Sequence, residues 1–221
     1  IHGACRDAIL QSSETINNEI NSISDNPLIL SNGDMGFSGH FHAEHVAIAL
    51  DHMSIAIAEI GAISERRIHY FMKGVEGKFQ PFLAKNPGIE SGYMIAHVTA
   101  SALASENKTL AHPASVDSLP TSGGQEDHVS MAPWAGSKLL IIQKNVLSIL
   151  AIELLIAGAA FTIYHSKLKP GNGTSFLLKN IQNIINAKKG DRSLTMEINK
   201  LKAIIENGKI FKELKSKGLL E

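Results

Sequence analysis

Cysteine is almost missing from these 221 residues: Cys5 stands alone. No internal disulfide can form, and a reducing compartment, with a cytoplasmic setting, is the simplest expectation. Cys5 itself reads as a packed small hydrophobe. Aromatic residues make up only 5% of the chain, and no series of alternating apolar and polar runs bounded by turns occurs, so a sandwich or barrel is excluded as the main architecture. Net charge is missing too, because Lys plus Arg and Asp plus Glu both number 21; the chain as a whole therefore points to neither nucleic acid nor an anionic membrane. There is no Walker A loop, no G-x-G-x-x-G, no H-E-x-x-H and no G-x-S-x-G, which removes the usual signatures of nucleotide binding, zinc peptidases and serine hydrolases. The chain starts at Ile1 without a charged and apolar leader, and a helix-like run begins almost at once. It reads as a piece of a longer polypeptide.

What is present is helical periodicity. A first helix is expected over about residues 3–21, ending before Ser24-Asp25-Asn26-Pro27, where proline disfavours helical geometry at Asn26. A loop runs through Asn32-Gly33-Asp34 to Gly39, with room for short strand pairing around Leu28–Leu30. From about Glu44 to Tyr70 the chain is apolar nearly all round, which predicts a helix buried against several others. Ser91-Gly92 opens a further helix to about Leu110, with Ser91 as its expected N-cap. The run Val146 to Tyr164 is long enough for a membrane span, but Glu153 at its centre would cost about 2.5–3.5 kcal/mol there, so a buried core helix is the better reading. Two amphipathic helices are expected over about 174–188 and 192–206, separated by Gly190-Asp191.

Charge is unevenly spread. Residues 1–165 carry 9 basic and 16 acidic side chains, and residues 166–221 carry 12 and 5. The chain accordingly divides into a helical body, 1–165, and a basic amphipathic tail, 166–221. Because the tail lysines are interleaved with Ile and Leu, they read as a solvated helical surface and not as a polyanion site.

Two clusters carry chemistry-bearing side chains. In Gly39-His40-Phe41-His42-Ala43-Glu44-His45, three imidazoles and a carboxylate sit at a loop-to-helix junction. His42 and His45 are spaced to share a helix face, but no third ligand is evident, so no metal is expected; the favoured account is a helix start with Glu44 in its first turn and Phe41 pointing into a cavity. The second cluster is the loop Leu119 to Pro133. Its two glycines allow close backbone approach, and Gln125-Glu126-Asp127-His128 supply an amide, two carboxylates and an imidazole in succession. An ordinary loop with Ser122 or Asp127 as an N-cap accounts for that pattern equally well.

Several segments, taken in order, resemble the histidine ammonia-lyases of the aromatic amino acid lyase family: Ser24-Asp25-Asn26-Pro27-Leu28, Gly39-His40-Phe41-His42-Ala43-Glu44, Ile57-Ala58-Glu59-Ile60-Gly61 with Ser64-Glu65-Arg66-Arg67, Ala104-Ser105-Glu106-Asn107-Lys108, and Val116 to Ser122 leading into Gln125-Glu126-Asp127-His128-Val129-Ser130-Met131-Ala132. The likeness runs from residue 1 to about 160, and the tail after about Lys167 resembles the family only loosely. It implies an all-α fold, the C-terminal part of a long-helix bundle, in a homotetramer whose active sites draw on more than one subunit. The implied activity is loss of ammonia from L-histidine to give urocanate, with methylidene-imidazolone, cyclised from Ala-Ser-Gly, as the electrophile.

Carried over position by position, the resemblance makes Glu126 the active-site glutamate and Phe41 the cavity phenylalanine beside electrophile and substrate ring, and Gln125 lines the same pocket. A carboxylate suits histidine, where phenylalanine lyases resemble this loop with glutamine. His40 departs from the family's usual asparagine. The Ser-Gly pairs here follow Phe37, Glu90 and Thr121, never alanine, and the family's tyrosine base and Q-D-x-Y-S-x-R segment have no counterpart. The expectation is therefore a lyase pocket wall without its own electrophile, inactive alone. The alternatives are a tyrosine or phenylalanine lyase or aminomutase, and a non-catalytic helical oligomerisation module.

Overall fold

The computed structural model describes residues 1–164, 169–187 and 190–220. Among them are seven α-helices and one two-stranded sheet: α1 His2–Ile20, β1 Leu28–Ile29, β2 Met35–Gly36, α2 Glu44–Met72, α3 Met94–Leu110, α4 Ala132–Ile163, α5 Asn172–Ile181, α6 Thr195–Asn207 and α7 Lys209–Ser216. The all-α expectation holds. The chain divides into two compact units, 1–60 with 106–144 and 61–105 with 145–221. The expected junction between body and tail at 165/166 lies outside the described residues.

In the first unit, β1 and β2 pair antiparallel with Leu28 opposite Gly36. Gly33 turns the chain between them at φ +89°, a conformation that costs glycine no Cβ clash. Asp51 of α2 accepts the Ser115 backbone N–H at 2.8 Å and lies 3.6 Å from the Lys138 ammonium, which donates to the His112 carbonyl. Both side chains are buried, so this ion pair fastens the start of the 111–131 loop to two helices. Cys5 is buried, as its reading as a small hydrophobe requires.

The second unit holds a continuous apolar core. Ile149, Ile152, Leu155 and Ile156 of α4 are fully buried, with Ile68 of α2, Ile181 of α5 and Leu201 of α6; each such side chain stabilises the fold by about 1.5–3 kcal/mol. Glu153, the carboxylate in the middle of this apolar helix, is held by Arg67, whose second guanidinium bond is 2.8 Å, and by the Ser64 hydroxyl at 2.6 Å. Two segments, His40–Met72 and Ala132–Ile163, are long and apolar enough to cross a membrane by length and composition.

Three sequence expectations change. Helix α3 begins at Met94, not at Ser91; the Met94 amide donates to the Ser91 carbonyl at 3.1 Å, and the Ser91 and Gly92 amides ahead of the helix donate to the Asp191 carboxylate at 2.9 and 2.8 Å. Gly92 is required there, because its φ is +56° and a Cβ would collide with the Phe82 carbonyl. Among its described residues the tail forms three helices: α5 ends at Ile181, short of the expected 188, and Gly208 takes a left-handed conformation between α6 and α7. Finally, α2 is not covered all round: Ile48 and Ile55 are exposed, as are Ile95 and Val98 of α3 and Trp134 and Leu140 of α4.

Candidate active site

Both candidate segments lie in the first unit. Phe41 sits in a 3-10 turn over His40–His42, closed by Ala43 in the left-handed region at φ +59°. That conformation costs a residue with a Cβ about 1–2 kcal/mol, and it redirects the chain so that α2 can start at Glu44. Phe41 is 44% exposed, and its ring lies 4.2 Å, centroid to centroid, from the His42 ring. In this chain its outer face is open.

The Glu126 loop is a tight turn made by consecutive positive φ angles at Ser122, Gly123 and Gly124. The Thr121 amide closes it by donating to the Glu126 carbonyl at 2.9 Å. Gln125 is exposed and Glu126 half-buried. The Glu126 Oε2 atom is buried without a hydrogen-bond partner among the described residues. Leaving such an atom unmatched costs about 1–3 kcal/mol, more when it is charged, so the position is built for a donor. Neither Ser122 nor Asp127 caps the following helix: Ser130 does, its hydroxyl accepting the Ala132 amide at 3.2 Å.

The two segments meet through His128. Its Nε2 lies 2.9 Å from Glu44 Oε2 and its Nδ1 3.0 Å from the Ser118 hydroxyl, which also accepts the Val129 amide at 3.0 Å. The His42 ring stands edge-on to His128 at 6.4 Å. The Glu126 loop is thereby coupled to the turn that carries Phe41. This pairing spans 84 residues and has no signal in local spacing. A second grouping also escaped the spacing argument: Glu19, His40 and His45 place their ligand atoms within 4.8 Å of one another, with His40 Nε2 2.9 Å from Glu19 Oε2.

The model of the aromatic amino acid lyase family matches residues 1–183, beyond the stretch that resembles it by motif. The chain belongs to that family. Within it, the similarity is to histidine ammonia-lyases: the chain is 45% identical to histidine ammonia-lyase of Caldanaerobacter subterraneus subsp. tengcongensis over all 221 residues, covering 43% of that protein. The crystal structure of histidine ammonia-lyase from Trypanosoma cruzi superposes with a TM-score of 0.91 at 36% identity, over 98% of this chain and 43% of that one. Tyrosine aminomutase from Streptomyces globisporus follows with a TM-score of 0.89 at 27% identity, over 97% of this chain and 41% of that one. The chain thus spans about two fifths of the relatives it matches.

The residues present do not fit formation of the family's methylidene-imidazolone. Of the three Ser-Gly pairs, none follows alanine. Ser91-Gly92 has its amides bound to Asp191, and Ser122-Gly123 lies in the turn before Glu126. No chemical step through that group is assigned to this chain.

Proposed function

We propose that this chain is one wall of a histidine ammonia-lyase active site, with the electrophile and the rest of the pocket supplied by polypeptide outside these 221 residues. The observation that carries the reading is the buried, unmatched Oε2 of Glu126, in a loop held to the Phe41 turn. An oxygen in that state accepts a charge-assisted hydrogen bond from the imidazole N–H or ammonium of L-histidine, worth about 1.5–3 kcal/mol. The exposed Phe41 face offers an apolar surface for the substrate ring, and Gln125 an amide at the pocket rim. Such contacts fix the substrate's orientation; the electron withdrawal that makes its β-proton removable comes from elsewhere in the enzyme.

The assembly we infer is a homotetramer. Each unit exposes apolar side chains of the kind that a neighbouring chain covers, Ile48, Ile55, Trp134 and Leu140 in the first and Ile95 and Val98 in the second. The chain alone makes no urocanate on this reading.

The test is Glu126→Gln in the protein that joins this chain to its electrophile-bearing portion. Histidine turnover should fall about 10- to 10²-fold, the loss of that charge-assisted bond; unchanged urocanate formation would refute the role of Glu126. A second reading, a tyrosine lyase or aminomutase, draws on the aminomutase fold likeness, and product formation from each amino acid separates the two.

A further inference from the structure

We propose that Glu19, His40 and His45 bind one divalent transition-metal ion of the zinc and cobalt type. The three come from two separate pieces of chain, the C-terminal half of α1 and the turn that leads into α2. Ala43, in the left-handed region, lies between the two histidines, and both rings place a nitrogen within 4.8 Å of the Glu19 carboxylate. Their ring centroids are 5.5 Å apart and inclined at 56°. His40 Nε2 already stands 2.9 Å from Glu19 Oε2, and the three side chains hold one donor atom each within 4.8 Å of the others.

Around a tetrahedral zinc ion, with bonds of about 2.0–2.2 Å, neighbouring donors lie about 3.4 Å apart. Rotation of the side chains bridges the difference from the present spacing. Two imidazoles and one carboxylate form a nitrogen and oxygen set suited to zinc, cobalt and nickel and ill suited to magnesium or calcium, which prefer oxygen alone. An ordinary ion pair would need only Glu19 and His40. The second imidazole at the same carboxylate is what a pair leaves unexplained and a metal site uses.

Preorganisation favours binding as well. The Glu19 and His40 side chains are 15% and 27% exposed, so part of the ordering cost is met before the ion arrives. His45 is exposed and also lines a groove of about 190 Å³ with Ser12, Thr15 and His52, which leaves room for water at the open coordination position. The bound ion would staple α1 to the turn that carries Phe41. The proposal does not depend on the lyase reading.

The experiment is a cobalt(II) titration of the full 221-residue chain, followed by its visible ligand-field absorption and by displacement with zinc. One equivalent should bind with a spectrum of nitrogen and oxygen ligation, and zinc should erase it. Glu19→Gln, His40→Asn and His45→Gln should each weaken binding at least about 10-fold, whereas His97→Gln should leave it unchanged. Helical circular dichroism checks the fold, and His45→Gln, on the exposed side, carries the test if His40→Asn unfolds. Absence of a saturable cobalt spectrum, binding that survives all three substitutions, or binding lost only with His97 would overturn the proposal.

Discussion

Replacing His128 by leucine separates positioning from stability. His128 makes two side-chain hydrogen bonds, to Glu44 and Ser118, and the His128 and Glu44 side chains are 53% and 37% exposed. Exposed pairs of this kind are worth about 0.2–1 kcal/mol, so the substitution should cost about 1 kcal/mol at most and lower the melting temperature by about 2–4 °C. Catalysis in the complete lyase should suffer far more. The imidazole is the described tie between the Glu126 loop and the Phe41 turn, and a displacement of about 1 Å in a positioned group can cost about 10²-fold in rate. The assay is urocanate formation by ultraviolet absorbance at saturating histidine, with thermal unfolding by circular dichroism on the same sample. Glu44→Gln, which removes the carboxylate but keeps an acceptor, should give a smaller loss. The reasoning fails if His128→Leu turns over at the parent rate, or if its lost activity matches the fraction unfolded.

Two further expectations concern stability. Burial alone would raise the Glu65 pKa, but hydrogen bonds from Arg66, Ser101 and His97, with the charge of Arg66, outweigh it and hold the carboxyl below its ordinary value. A folded value below the unfolded one, about 4.3, means that its stabilisation is present above that pH and lost as pH falls through the folded value. Glu65→Gln should therefore be less stable than the parent at neutral pH, by about 1–3 kcal/mol, and the gap should close in acid; a gap constant from pH 7 to 3 in urea denaturation would contradict this. Ile156→Ala, at a position with no solvent exposure, should cost about 2–5 kcal/mol by the same measurement, and a loss under 1 kcal/mol would show that the core collapses around the deletion.

Long elements with strong apolar periodicity were legible. Helices α1 and α2 fall where their apolar spacing places them, whereas α4 takes in the expected run from Val146 but starts at Ala132, because its first turns carry too few apolar residues in a row to stand out. Residues that act across distance were not. A serine followed by glycine before an apolar run is a fair N-cap signal, yet α3 starts only at Met94, and the Ser91 and Gly92 amides are held by Asp191, about a hundred positions later. The break at Gly208 hid inside a lysine-rich stretch whose charge masked the strong one-sided pattern of α7. At the candidate site, Glu126, Gln125 and Phe41 were reached by family resemblance. The His128 bridge and the approach of Glu19 to His40 and His45 depend on packing of remote segments, for which local spacing holds no information.

The hold of Asp191 on Ser91 and Gly92 has a consequence for the order of folding. At a synthesis rate of about 5–20 residues per second, the entry to α3 leaves the ribosome about 5–20 s before Asp191 does. During that interval the two amides have only water as acceptor, and the second unit still lacks Leu201 and the Arg192 guanidinium that pairs with Glu197. Completion of this unit is thus a late event in biogenesis, governed by arrival of the basic tail. A ribosome stalled before residue 191 should carry a nascent chain whose α3 entry remains open to protease, and release of the full tail should close it.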